Sequence, residues 1–226
     1  MPKSTDALNT NLFGDKKISK SEYAYEQIKE MIITGKLAPL SDVSETDLQN
    51  ALGVSRSPIR EAILRLEREA MLKIYPRKGT IVTDVTQDLI DEVYQVRLVL
   101  EPAIAGMAAG RIDRSWLYDM YDRFTNRPEA LKDKKLMEYY IMLDNELHTK
   151  LMDCCPNRFL RSAVRMVHDQ NRRIRYFHPN EDEQITLAAT EHIEIIQALL
   201  DNDPDHVSDA MRRHLVNSHE RTKSRY

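Results

Sequence analysis

Ser44 to Leu72 reads SETDLQNALGVSRSPIREAILRLEREAML, and this stretch decides the fold of the N-terminal part of the chain. Leu48, Ala51 and Leu52 form one apolar stripe, and Val54, Ile59, Ala62, Ile63 and Leu66 form the next. Spacings of i, i+3, i+4 and i+7 predict two short helices, with Gly53 in the turn between them. Ser44 suits an N-cap, with Glu45 and Asp47 behind it, where negative charge favours the helix dipole. Ser55 is placed to cap the second helix. Helix, glycine turn, helix is the pattern of a DNA-binding helix-turn-helix. Such a motif reads base edges with the N-terminal end of its second helix, and that end here offers Ser55, Arg56, Ser57 and Arg60. Arginine is the informative type, because its fork can donate two hydrogen bonds to guanine O6 and N7. The plainer alternative is a solvated helix face balanced by Glu61, Glu67 and Glu69.

The residues that follow favour DNA. KIYPRKGTIVTDV holds two short β-prone runs, Lys73 to Tyr75 and Thr80 to Thr83, around Pro76-Arg77-Lys78-Gly79. A basic hairpin directly after a recognition helix is the wing of a winged helix, and Arg77 and Lys78 could reach phosphates or a minor groove. The run from Tyr25 to Val85 resembles the DNA-binding domain of the GntR family of bacterial transcription regulators, in the stretches YEQIKEMIITGKL, SETDL, ALGVSRSPIREAILRLE and PRKGTIV. The resemblance implies that Arg56, Arg60 and the hydroxyls of Ser55 and Ser57 contact operator DNA, and that Gly79 brings the wing backbone close to it. One departure is Thr46, where many relatives carry a basic residue after the Ser-Glu pair.

The remainder of the chain is organised differently. Its 226 residues suit two domains of ordinary size. No run of about 18 apolar residues is present and the N-terminus has no apolar signal core, so the expectation is a cytoplasmic protein with no membrane partner. Cys154 and Cys155 are adjacent, which suits neither a spaced metal pair nor a disulfide framework. The net charge of -3 divides into 13 Lys/Arg against 12 Asp/Glu in residues 1–84 and an acidic remainder. Non-specific phosphate attraction is therefore modest, and binding should lean on placed contacts in a homodimer that meets two half-sites of a pseudo-palindromic operator.

Residues 1–19 lack a sustained apolar period and are expected to be a mobile tail. A first helix over Ser21 to Thr34 should pack behind the helix-turn-helix, giving a winged-helix domain over residues 20–85. From Thr86 the pattern turns wholly helical, predicting a mainly α chain with an all-α bundle over residues 86–226. Its helices are expected from Thr86, with a kink or break at Pro102, and then over Ser115–Thr125, Pro128–Met152, Asn157–Phe177, Glu183–Leu200 and Pro204–Arg221.

The bundle's helices break their own apolar stripes with polar residues. Asp144 and His148 lie one turn apart on the stripe Met137, Ile141, Asp144, His148, Leu151. His192 interrupts Ile185, Ala189, Ile196, Leu199, and His214 sits inward with Val207, Met211 and Leu215. Buried polar groups need partners, and one carboxylate with three imidazoles could converge as a metal site. Such ligands suit Zn, Ni, Mn, Fe or Co without selecting among them. His168, His178, His206 and His219 are expected to be ordinary satisfied core or pocket residues. Arg97, on the stripe Ile90, Val93, Leu100, Ile104, needs an anion. That anion is either an internal carboxylate such as Glu101 or Asp144, or the carboxylate of a ligand held bidentately. Asn171 is a further pocket candidate and Arg175 a lesser one.

Thr86 to Thr222 resembles the FCD effector domain of the FadR branch, in VRLVLEPAIAGMAA, DNELH, TLAATEHIEIIQALLDND and a late inward histidine. Metal-binding members use one Asp and three His, which match Asp144, His148, His192 and His214. The matching arginine, Arg97, lines the effector pocket there. The loop CCPN departs from the small, glycine-containing loop usual at that point. The expectation is a metabolite-responsive transcription regulator sensing a small carboxylate beside a divalent transition metal. The rivals are a metalloenzyme using the Asp/His3 site, with Glu146 or Glu191 nearby, and a purely structural metal.

Overall fold

The computed structural model describes residues 18–126, 133–177 and 182–224. Most of the expected tail, the start of the helix expected from Pro128, and His178 lie outside the described residues. The N-terminal unit comprises α1 (Lys20–Ile33), β1 (Asp42–Val43), α2 (Glu45–Leu52), α3 (Arg56–Arg68), β2 (Leu72–Tyr75) and β3 (Gly79–Val82). Ser44 caps α2 as expected, its hydroxyl accepting from the Asp47 amide at 3.2 Å. Gly53 ends the helix with φ of 66°, in the left-handed region that glycine enters without a Cβ clash. Ser55 stands at the N-cap of α3 but makes no side-chain capping bond, so its hydroxyl is not committed to the helix. Ile59, Ala62, Ile63 and Leu66 of α3 and Leu48 of α2 pack onto Tyr25, Ile28 and Ile32 of α1. Ala51, expected on the α2 stripe, is exposed.

The wing strands pair antiparallel with Tyr75 opposite Gly79. The hairpin needs two left-handed positions, Arg77 in the three-residue turn at φ 65° and Gly79 at the start of β3 at φ 115°. A third strand, β1, pairs with β3 and completes a sheet of order β1-β3-β2. Two residues are too few for an alternating pattern, and β1 therefore carries no sequence signature of its own.

Among the described residues the helical unit has six helices: α4 (Gln87–Ala108), α5 (Arg114–Thr125), α6 (Asp133–Cys154), α7 (Arg158–Phe177), α8 (Asp182–Asp201) and α9 (Pro204–Lys223). Thr86 caps α4, accepting from the Leu89 amide. The break expected at Pro102 is absent, and α4 runs through it. Proline removes the donor to the carbonyl one turn back, and α9 supplies a substitute: Arg212 Nη1 reaches the Leu98 oxygen at 3.4 Å. Ser208 Oγ donates to the Pro102 oxygen at 2.9 Å. The two helices approach closely enough that a Cβ on Gly106 would meet the Pro204 carbonyl oxygen at 2.9 Å.

One helix departs from the usual one-sided burial. In α7 every residue from Val167 to Asn171 is buried, as are Arg173 and Ile174, and five consecutive positions exceed any single helical face. The reason is position: α7 lies between the bundle and α1 of the winged helix. Its Asp169 accepts from Lys29 Nζ at 2.9 Å, and Gln170 Nε2 donates to the Glu69 oxygen at 2.8 Å. Arg172 meets Glu30 at 3.0 Å, and Arg173 donates to both the hydroxyl and the carbonyl of Thr83. Burial alone would lower the Lys29 pKa, but the Tyr25 hydroxyl and the Asp169 carboxylate outweigh it and hold the ammonium above its ordinary value.

Candidate metal centre and DNA-reading face

Three helices bring the four bundle residues together. Asp144 and His148 come from α6, His192 from α8 and His214 from α9, all buried, with one ligand atom from each within 4.8 Å of the others. Ligands on a transition metal at about 2.1 Å lie roughly 3–4 Å apart, so little closure is needed. Asp144 Oδ1 is 3.0 Å from His192 Nε2 and 3.8 Å from His148 Nε2. Asp144 Oδ1, His148 Nε2 and both His192 nitrogens nonetheless lack a properly directed hydrogen-bond partner. Buried polar atoms that converge without bonding one another are costly. A cation at their centre would satisfy the facing atoms together, so the residues fit a metal.

The surrounding residues set the ligands' orientation. His148 Nδ1 is 2.8 Å from Glu101 Oε2, and His214 Nδ1 is 2.9 Å from Glu191 Oε2. A carboxylate on Nδ1 fixes the tautomer and presents Nε2 as the ligand. Glu191 is held in turn by Arg221 at 2.6 and 2.7 Å and by Asn217 at 2.9 Å. Burial would raise the Glu191 carboxyl, but these donors bring it to about 2. Burial pushes His214 down to about 3 and His192 down as well, so both imidazoles are neutral at pH 7 and able to ligate. Asp144 would be raised by burial, but Arg175 beside Oδ2 and the nearby imidazoles hold it well below the usual carboxylate range.

Arg97 is engaged by protein groups beside the centre. Its Nε donates to Glu101 Oε1 at 2.6 Å and its Nη1 to Asn171 Oδ1 at 2.7 Å. The buried guanidinium is thus satisfied inside the protein, in the internal ion pair foreseen as the alternative, and Asn171 is its partner. Arg175 instead lines the cavity against the centre, with Phe124, Tyr140, Ile141 and His192. That space is about 20 Å³, room for roughly one water. Glu101, Glu191 and Arg175 are the site residues that sequence reasoning missed or ranked low. Glu101 lies four residues from Arg97, the one spacing signal available. His168 stays outside the cluster, its Nε2 2.9 Å from Asn145 Oδ1. Cys154 and Cys155 are free thiols.

On the winged helix, Arg56 and Arg60 stand on the exposed front of α3, and both meet Glu45 of α2. Ser57, Arg77, Lys78 and Gly79 are also exposed.

Residues 20–82 match the bacterial regulatory proteins of the gntR family, and residues 92–217 match the FCD domain. The chain belongs to the GntR family and carries an FCD domain. It is 30% identical over 173 residues to the HTH-type transcriptional regulator YdhC of Bacillus subtilis, covering 76% of this chain and 77% of that protein. It is 25% identical to the HTH-type transcriptional repressor RspR of Escherichia coli, covering 86% and 85%. The fold is shared with E. coli McbR/YncC, at a TM-score of 0.77 and 18% identity over 92% of this chain and 99% of that one. A GntR regulator from Rhodococcus sp. RHA1 is similar at a TM-score of 0.73 and 22% identity, covering 92% and 100%. This GntR protein is accordingly an HTH-type transcription regulator with a ligand-binding effector domain, in a family of regulators rather than enzymes. Among the described residues no helix is long and apolar enough to cross a membrane.

Replacing His192 by Ala should abolish stoichiometric metal uptake, measured by elemental analysis after equilibration with Zn²⁺ or Ni²⁺. Glu191→Gln should retain the metal but weaken its affinity by roughly 10–100-fold, the usual loss when a histidine's supporting carboxylate is removed.

Proposed function

We propose that this GntR regulator is a cytoplasmic homodimer whose affinity for a pseudo-palindromic operator is set by a small carboxylate bound beside a divalent transition metal. The observation that carries the proposal is the convergence of Asp144, His148, His192 and His214 in the interior, with Asp144 Oδ1, His148 Nε2 and the His192 nitrogens unpaired. The metal, one of Zn, Ni, Mn, Fe or Co, would polarise and anchor a ligand oxygen. Arg175 at the cavity wall would balance the ligand's charge, and Arg97 would act through Glu101 to hold His148 unless the ligand draws its fork away. The small cavity implies that an organic acid enters only with local opening. Catalysis is disfavoured because the nearby carboxylates are engaged: Glu191 on His214, Asn217 and Arg221, and Glu146 on Arg123 at 2.8 Å.

The state of the centre has a short path to the DNA-binding domain through α7. One face of α7 carries Asn171 and Arg175 to the centre and its supports, and the adjoining faces carry Asp169, Gln170 and Arg173 to the winged helix. A ligand shifts this arrangement only if it binds one position of α7 more tightly than another. Mobility-shift titrations on DNA flanking the protein's coding region, with a panel of small carboxylates, should show a metal-dependent change in operator affinity. Asp169→Asn should blunt that change while leaving metal content intact. A response that survives removal of the metal would defeat the proposal.

Within the reading face, Ser55, Arg56, Ser57 and Arg60 would meet the major groove and Arg77, Lys78 and Gly79 the backbone or minor groove. Arg56→Ala and Arg60→Ala should each cost about 1–3 kcal/mol at the cognate site if the contact is bidentate. Lys78→Ala should weaken all sequences alike.

Dimerisation is assigned to α4. Val96, Val99, Ala103 and Met107 recur on its outer face, Val99 being 72% exposed. Met107 touches Cys155. Apolar side chains at helical spacing on an outer face are a surface a second copy would cover. Val99→Glu should shift the protein toward monomer in sedimentation velocity at micromolar concentration, with the circular dichroism spectrum unchanged.

A further inference from the structure

Glu45 is the first residue of α2, and its place is set by the Ser44 cap behind it. The glycine turn at Gly53 folds α3 back so that the start of α2 stands beside the start of α3. There one carboxylate serves two arginines. Arg56 Nε donates to Glu45 Oε2 at 2.9 Å, and Arg60 Nε donates to Oε1 and Oε2 at 3.1 Å. The side chains of Arg56 and Arg60 remain 62% and 54% exposed, while that of Glu45 is 30% exposed. Arg56 and Arg60 are one helical turn apart and therefore share a face.

All three contacts use Nε. That leaves Nη1 and Nη2 as the donor pair each guanidinium can offer to guanine O6 and N7. A long arginine side chain loses rotamer freedom when it is ordered on a partner. Two arginines already tethered at Nε have surrendered part of that freedom before DNA arrives. The triad also keeps a net positive charge, so the tether does not cancel attraction to phosphate. The Arg56 bond, ahead of burial and the Arg60 bond, governs the balance that holds the Glu45 carboxyl below its ordinary value, so it is ionised at neutral pH.

We propose that Glu45 is a positioning residue for DNA recognition: it preorganises Arg56 and Arg60 so that their outer amines meet base edges together, adding sequence specificity rather than raw affinity. This inference rests on the assignment of Arg56 and Arg60 to the operator interface. Two rival roles exist for the same carboxylate. It could act as a competitor that DNA must displace, or as a direct acceptor for cytosine N4.

The test uses the full-length protein and a duplex selected by the wild type from a randomised pool, with an unrelated duplex of equal length as the non-specific probe. Glu45→Ala should lower affinity for the selected duplex by roughly five- to a hundredfold, the ordering penalty of two long side chains. Its affinity for the unrelated duplex should hold or rise, because a negative charge has been removed from the DNA-facing side. Glu45→Gln keeps an oxygen for the Nε donors and should recover part of the loss. In the Arg56→Ala/Arg60→Ala background, Glu45→Ala should add nothing. Tighter binding of both duplexes by Glu45→Ala would make the residue a competitor and overturn the proposal. A loss of the same size in the arginine-free background would also overturn it, pointing to a base contact or a structural role. So would a Gln variant that melts at the wild-type temperature yet binds no better than the Ala variant. Should Arg56→Ala and Arg60→Ala leave the selected duplex bound as before, the interface assignment itself fails, a result distinct from any of these.

Discussion

The constraint on which the rest depends is the complete burial of the middle of α7. A helix buried on one face can leave its polar residues to water. This one cannot, because both the bundle and the winged helix cover it. Many of its polar groups are therefore answered by protein on one side or the other, although His168 Nδ1, Gln170 Oε1 and Arg173 Nε have no hydrogen-bond partner. Asp169 is answered by Lys29 and Gln170 by the Glu69 carbonyl, both in the winged helix, while Asn171 is answered by Arg97 in the bundle. Removing one member of such a buried pair leaves the other uncompensated. α7 thus joins the two units through buried pairs made on both sides of it.

The centre shows a comparable economy of partners. Four candidate ligands occupy the first layer, and the second is built from two carboxylates. Glu101 spans Arg97 and His148, and Glu191 spans Arg221 and His214. Each imidazole so held has its Nδ1 occupied, leaving Nε2 for the interior. His192 has no such carboxylate among the described residues and stacks instead on Phe124, with ring centroids 4.9 Å apart. Its orientation is therefore set by packing, and the other two rings are set by charge.

In the winged helix the same device recurs on an exposed surface. Glu45 spans Arg56 and Arg60 as Glu101 spans Arg97 and His148. The energetic setting differs. In the interior the ion pair keeps a guanidinium from standing alone in low dielectric. On the surface, solvent screens the pair and its direct contribution to stability is small, so the geometry it imposes is its main effect.

The sequence by itself determined the helix-turn-helix, the wing and the succession of helices, because these rest on local periods, caps and turn residues. Ser44, Gly53 and Thr86 stand where the pattern placed them. It also marked Asp144, His148, His192 and His214, because each interrupts an apolar stripe, and interruption is visible along one dimension. Only the tertiary structure decided what those groups face. Whether Arg97 holds a ligand or Glu101 depends on rotamers and on the neighbouring helix. The continuity of α4 past Pro102 depends on Arg212 and Ser208, more than 100 residues away in the chain. Strand β1 exists because β3 offers an edge, and α7 is buried all round because two units meet on it. Periodicity records how a segment divides its own faces, and carries no information about which partner, or how many, will cover them.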